Sequence, residues 1–380
     1  YGERREKLYL YNYTNHSNMR RIYFILLIII CLSISDIYAQ NRNTENFRNR
    51  KSCVPGYGIR KKHDASLFQG NRKTNKYFEG WYFKMVSSDG ASILSIIPGI
   101  SIAGNGEEQH AFIQVINGKT AETQYYSFPV DEFLFSPKRF AVRIGENFFS
   151  ADSIVLNIEN DSTILKGKIY MTNKIQLTPG NKKKHIMGWY RHVPFMQCYH
   201  GVVSLDHDLS GSMEYNGKTF DFSDGKGYIE KDWGRSMPEA WIWMQSNNFA
   251  EDNTSFMLSV AHIPWMGSSF TGFLGFFHHD SITTRFGTYS KAKIEINSND
   301  SDTVNIMITD KRYQYSITAI HKNSGLLHAP VNGAMDRRIA ESIDATLLLV
   351  VKDKNGKTIF KSESKIAGLE VVGDQSVLIN

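Results

Sequence analysis

From Tyr77 onward, apolar and polar residues trade places over short runs. The stretches 80–86, 110–116, 139–144 and 164–171 read this way. So do 201–205, 219–222, 241–245, 255–261, 270–277, 292–296, 304–308, 313–320, 345–351 and 358–361. Period-two alternation over four to eight residues predicts half-buried strands. Asn117-Gly118, Asn216-Gly217, Asp224-Gly225 and Asn355-Gly356 separate or flank the runs as tight turns. The one stretch that reads as a helix is 335–343. The pattern predicts an all-β protein of antiparallel sandwiches or barrels.

The first residues follow another pattern. The run 22–35 is apolar, follows Met19-Arg20-Arg21 and ends in small residues at Ala39. That is the pattern of a secretory signal peptide, shorter than the about 20 apolar residues a membrane span needs. The expectation is a start at Met19, with 1–18 an upstream extension, cleavage near Ala39, and export to a periplasmic or extracellular place. Residues 40–75 are polar and basic and read as an extended lead-in. The stretch 78–83 faintly resembles 229–243, which would fit two β halves, 76–205 and 206–380. Chance similarity between aromatic strands explains it equally well.

Composition narrows the classes. Apolar residues at 41% exclude disorder, since that much burial offsets ordering entropy. A net charge of +6 without a long basic block gives no sign of nucleic acid. The 23 Phe, 19 Tyr and 6 Trp could line a large cavity as well as a core. Outside the leader stand Cys53 and Cys198, too few for a disulfide framework, and whether they pair is open. Cys198, in an aromatic stretch, reads as a buried thiol.

Three segments carry candidate chemistry. In 227–245, Glu230, Lys231, Asp232, Arg235 and Glu239 are interleaved with Trp233, Trp241 and Trp243 and followed by Gln245. This reads as a functional site or as a salt-bridged bend. In 77–84, alternation puts Glu79, Trp81 and Phe83 on one face and Tyr82 and Lys84 on the other. Glu79 is then either a desolvated carboxyl in a cavity or half of a Glu–Lys pair. In 194–207, His200 and His207 could be polar handles in a cavity. With Cys198 they match no strong zinc spacing, so no metal is expected. His110 opens a strand as a cavity group or a core histidine, and 278–280 reads as a turn. No Gly-x-Ser-x-Gly elbow supports Ser-His-Asp hydrolysis.

Over roughly residues 75–365 these segments resemble the tocopherol cyclase family. The carriers are Tyr77-Phe-Glu-Gly-Trp-Tyr-Phe-Lys84, Pro194-Phe-Met-Gln-Cys-Tyr-His-Gly201 and Gly227-Tyr-Ile-Glu-Lys-Asp-Trp-Gly234, continued by Pro238, Trp241, Trp243 and Gln245. The resemblance implies lipocalin-like β-barrel halves around an apolar cavity. It implies protonation of a prenylated benzoquinol and capture of the tertiary cation by the phenol oxygen, with no cofactor. Such chemistry needs a carboxyl kept neutral among apolar walls, and aromatic faces for the cation. Asp232, Glu230 and Glu79 are the candidate acids. Trp81, Lys84, His110, His200, Trp233, Trp241, Trp243 and Gln245 are the candidate substrate contacts. The partner is a hydrophobic small molecule, with which peripheral membrane contact is compatible. A non-catalytic lipid binder, or an isoprenoid hydratase or lyase, would use the same cavity.

Overall fold

Alternation along the chain is realised as two antiparallel sheets. The computed structural model describes residues 46–104, 109–160, 163–177, 185–297 and 302–379. The stretch 1–39, expected to hold a signal peptide, and the basic run at 182–184 lie outside the described residues. The lead-in is more ordered than its polar composition predicts. It holds a two-residue strand, Arg48–Asn49, and a helix, Tyr57–His63. Tyr57 anchors that helix, being fully buried and donating its hydroxyl hydrogen to the Phe68 carbonyl at 2.8 Å.

Among the described residues the first sheet has 13 strands and the second 10. At the centre of the first, Gly225–Gly234 pairs on one side with Cys198–Tyr215 and on the other with Tyr77–Val86. In the second, Trp241–Ser246 lies between Ser255–Trp265 and Thr358–Val372. Next to the latter runs Ala334–Asp353. The hydrogen-bonded order of each sheet is an open path among the described residues. The all-β, antiparallel, lipocalin-like class expected from the sequence is the one observed.

Two expectations are corrected. The strand Cys198–Tyr215 runs across residue 205, and the change of sheet falls between Gly234 and Trp241. The halves therefore do not meet near 205. The stretch 335–343 belongs to the strand Ala334–Asp353. Met335, Ile339 and Ile343 are spaced by four, which suits a helical stripe and a period of two equally. Pairing with Gly325–Val331 and Thr358–Val372 decides for the strand.

Three apolar clusters follow from the layering. One fills the first sheet with Trp81, Phe83, Phe133 and Phe149. A second fills the other sheet with Met244, Phe256, Phe286 and Tyr315. The third joins the sheets through Tyr82, Tyr228, Trp241, Trp243, Ile339 and Ile343. The central strands are thus covered on both faces, which is why Tyr77–Val86 is buried almost throughout. Antiparallel sheets more often leave one face in water.

Candidate functional site

A cavity of about 190 Å³ opens between the sheets. Alternation decides which side chains reach it. In Gly225–Gly234, Glu230 and Asp232 point to the cavity, while Lys231 and Trp233 point into the first sheet's own core. In Tyr77–Val86, Phe78, Gly80 and Tyr82 line the cavity, and Glu79 and Trp81 face away. The second sheet contributes Trp241, Trp243, Glu341 and Glu370.

His200 stands directly opposite Asp232 in the strand register. Its Nδ1 is 2.9 Å from an Asp232 oxygen, and its Nε2 is 3.4 Å from Glu230 Oε2. Burial works against charge on the imidazole, but the two carboxylates outweigh it and push its pKa up to about 10. Glu230 Oε2 also accepts hydrogen bonds from Tyr228 Oη at 2.7 Å and Trp243 Nε1 at 3.2 Å. The ligand atoms of His200, Glu230 and Asp232 lie within 4.8 Å of one another, so these three groups could hold a metal ion where the sequence predicted none. As they stand, the imidazolium bridges the two carboxylates.

The second sheet adds two carboxyls that sequence reading missed. Glu341 is 1% exposed, and its Oε1 accepts a hydrogen bond from Tyr82 Oη at 2.6 Å. Its Oε2 is buried without a hydrogen-bond partner. Burial, with a further push from Glu230, raises its pKa to about 8 against the pull of the Tyr82 hydrogen bond and of Lys84. Glu370, paired with Glu341 across the strands, accepts from Trp241 Nε1 at 2.5 Å. Burial and then Glu341 push its pKa well above the usual carboxylate range. Arg337 spans this corner, with its guanidinium 5.0 Å from the Trp241 ring centroid.

The remaining candidates sit elsewhere. Glu79 Oε1 is 2.6 Å from Lys231 Nζ, and both side chains are wholly buried. Lys231 Nζ also lies over Trp81 and Trp233, 4.7 and 4.9 Å from their ring centroids. Removing one partner of such a pair leaves an uncompensated charge, at a cost of about 3–5 kcal/mol. Glu79, Trp81 and Trp233 therefore hold the first sheet together and do not line the cavity. Lys84 donates to the Ile366 carbonyl at 3.1 Å and lies 3.4 Å from Gln245 Oε1. Burial pushes its pKa down to about 7. Lys84 and Gln245 thus join the sheets beside the cavity, not in its wall. His110 pairs with Tyr125 Oη at 2.6 Å, also outside the lining. His207 packs beneath Gly227, with Nδ1 3.0 Å from Ser204 Oγ. His278 and His279 end a strand, and only Asp280 lies in the turn. Cys53 and Cys198 are both free.

The profile of the tocopherol cyclase-like family matches residues 175–373. The chain belongs to that family. The tocopherol cyclase-like segment contains His200, Glu230, Asp232, Trp241, Trp243, Glu341 and Glu370, so most of the polar wall falls inside it. A rice protein (Oryza sativa subsp. japonica) named probable tocopherol cyclase, chloroplastic, is 30% identical over 81 residues. The maize (Zea mays) tocopherol cyclase, chloroplastic, is 28% identical over 81 residues. Each match spans 21% of this chain and 17% of the relative's length. Among solved structures, CghA with Sch210972 superposes with a TM-score of 0.51 at 9% identity, covering 86% of this chain and 95% of that one. That likeness concerns the fold.

Proposed function

We propose that this tocopherol cyclase-like chain protonates a double bond of an isoprenoid quinol and closes a ring on the resulting cation. The observation that carries this is Glu341, a buried carboxyl in the cavity wall with one oxygen unpartnered and its pKa pushed up to about 8. An acid of that pKa holds its proton near neutrality and can still give it up, the condition for general-acid catalysis.

The step balances without a cofactor. Glu341 transfers its proton to the alkene and becomes a carboxylate. The tertiary cation forms against the faces of Trp241 and Trp243, each worth about 2 kcal/mol when desolvated. The phenol oxygen attacks the cation and loses its proton to the Glu341 carboxylate, which restores the acid. The bridged array of Asp232, His200 and Glu230 supplies hydrogen bonds that orient the quinol. It also gives the wall an excess negative charge that favours a cation. Asp232, the first candidate from the sequence, is engaged with the charged His200, and Glu341 takes the acid's role instead. The names of the plant relatives support a prenylated benzoquinol as the substrate.

The test is chromanol formation from a prenylated benzoquinol by purified protein. Glu341→Gln should lower turnover by about 10²–10⁴ while substrate still binds, because it removes the proton and keeps the shape. Asp232→Asn should cost less and act more on KM. Undiminished turnover per folded molecule in Glu341→Gln would remove Glu341 as the acid. An apolar ligand co-purifying with a protein that converts nothing would favour the lipid-binder reading.

A further inference from the structure

The mouth of the cavity carries large apolar side chains that stand in solvent. Phe195 is 99% exposed and Met266 90%, with Trp189 at 58% and Trp265 at 43%. They sit on two separate tips. One is the segment 188–196, and the other is the hairpin turn between Ser255–Trp265 and Ser268–His279. Phe195 and Met266 both have left-handed backbones, with φ of 64° and 48°. Bulky residues rarely adopt that conformation.

Both tips rise from one opening. Tyr190 and Met196 beside the first tip, and Pro264 and Phe270 beside the second, line the cavity. The rings of Tyr190 and Phe270 stack at 6.4 Å across it. A basic fringe borders the first tip. Arg191 and His192 follow Trp189, and burial, Arg191 and then the nearby Lys62 lower the pKa of His192. The helix Tyr57–His63 therefore lies alongside, with Arg60 and Lys62 exposed and Ile59 69% exposed. Neither tip nor the helix carries a carboxylate.

We propose that this mouth docks on an anionic lipid surface, so that an apolar ligand passes from bilayer to cavity without crossing water. This rests on the reading of the cavity as an isoprenoid site. Trp, Phe and Met tips with a basic fringe beside the first of them have the chemistry of an interfacial anchor. Tryptophan in particular favours the boundary between headgroups and acyl chains. Cations draw such a surface toward negatively charged headgroups. Among the described residues no helix is long and apolar enough to cross a membrane, and the proposed contact is the one these tips make. A patch for a second protein copy would gather its apolar area on one face. Here that area is divided between the two sides of an opening.

The experiment uses vesicles without substrate. The chain should co-sediment with phosphatidylcholine vesicles containing phosphatidylglycerol, and less with phosphatidylcholine alone. Its tryptophan emission should be quenched by lipids brominated on the acyl chains. The triple variant Trp189→Ser, Phe195→Ser, Met266→Ser should lose at least about tenfold in vesicle affinity. It should keep conversion of a detergent-dispersed prenyl quinol. Arg60→Glu with Lys62→Glu should abolish the preference for anionic vesicles. A wild-type chain that converts dispersed quinol but stays in the supernatant overturns docking and leaves the proposed function standing. A chain that docks but converts nothing overturns only the function. A dimer in light scattering that the triple variant dissolves, with no vesicle binding by either protein, assigns the tips to a second copy and also overturns the proposal.

Discussion

Glu341 and His200 both hold protons that they would lose at neutral pH in an unfolded chain, for opposite physical reasons. Glu341 keeps its proton because burial penalises the carboxylate, and His200 keeps its own because two carboxylates reward the imidazolium. The sign for stability is the same in both cases. A pKa raised on folding gives a contribution fully present below the unfolded value and lost as pH rises through the folded one. For Glu341 the window runs from 4.5 to about 8, and for His200 from 6.5 to about 10. Wild-type stability should therefore fall from neutral to alkaline pH. Glu341→Gln removes the first window and leaves the second. Urea unfolding at about pH 5 and about pH 9 should show the variant gaining on wild type as pH rises. A constant difference between the two proteins would mean that Glu341 titrates as a solvated carboxyl. Glu341 was readable in principle: positions 335, 337, 339, 341 and 343 spell Met-Arg-Ile-Glu-Ile on one strand face. The helical spacing of the same apolar residues concealed it.

Pairing between elements places the tryptophans. The Trp243 ring lies against the Gly368 backbone, where an added Cβ would fall 2.5 Å from one ring carbon and 2.6 Å from the next. A neighbouring strand with any larger residue there would displace the indole from Glu230. Gly368→Ala should therefore overpack the joint between the sheets, at a cost of about 1–3 kcal/mol. It should alter the near-ultraviolet tryptophan signal and weaken ligand binding. An unchanged melting temperature and spectrum would show that the ring has room to move. Trp241 and Trp243 stand out in the sequence as aromatic letters beside charges. That Gly368 makes space for one, and Glu370 accepts from the other, depends on a strand more than a hundred residues away.

Across the whole molecule, buried polar links tie one sheet to the other around the cavity. Gln114 and His328 exchange hydrogen bonds at 3.0 and 2.8 Å, and Asn247 Nδ2 donates to Asp206 Oδ1 at 2.7 Å. Ser255 Oγ donates to the Leu205 carbonyl at 2.7 Å, and Tyr82 reaches Glu341. Separating the sheets would leave these groups unsatisfied and expose the apolar cluster between them. Calorimetry should therefore show one transition, with calorimetric and van't Hoff enthalpies equal. Two resolved transitions would mean that the sheets unfold independently. Period-two alternation and turn residues determined the β class, because both are local properties of the chain. Within the strand Gly225–Gly234, a stretch that the sequence left open as a site or a bend, alternation puts Glu230 and Asp232 on one face and Lys231 and Trp233 on the other. Only the tertiary structure decided which face meets the cavity, because that depends on where the second sheet packs. By the same packing it consigned Glu79 and Trp81 to a buried ion-paired core, and it brought Glu341 and Glu370 from the far end of the chain into the wall.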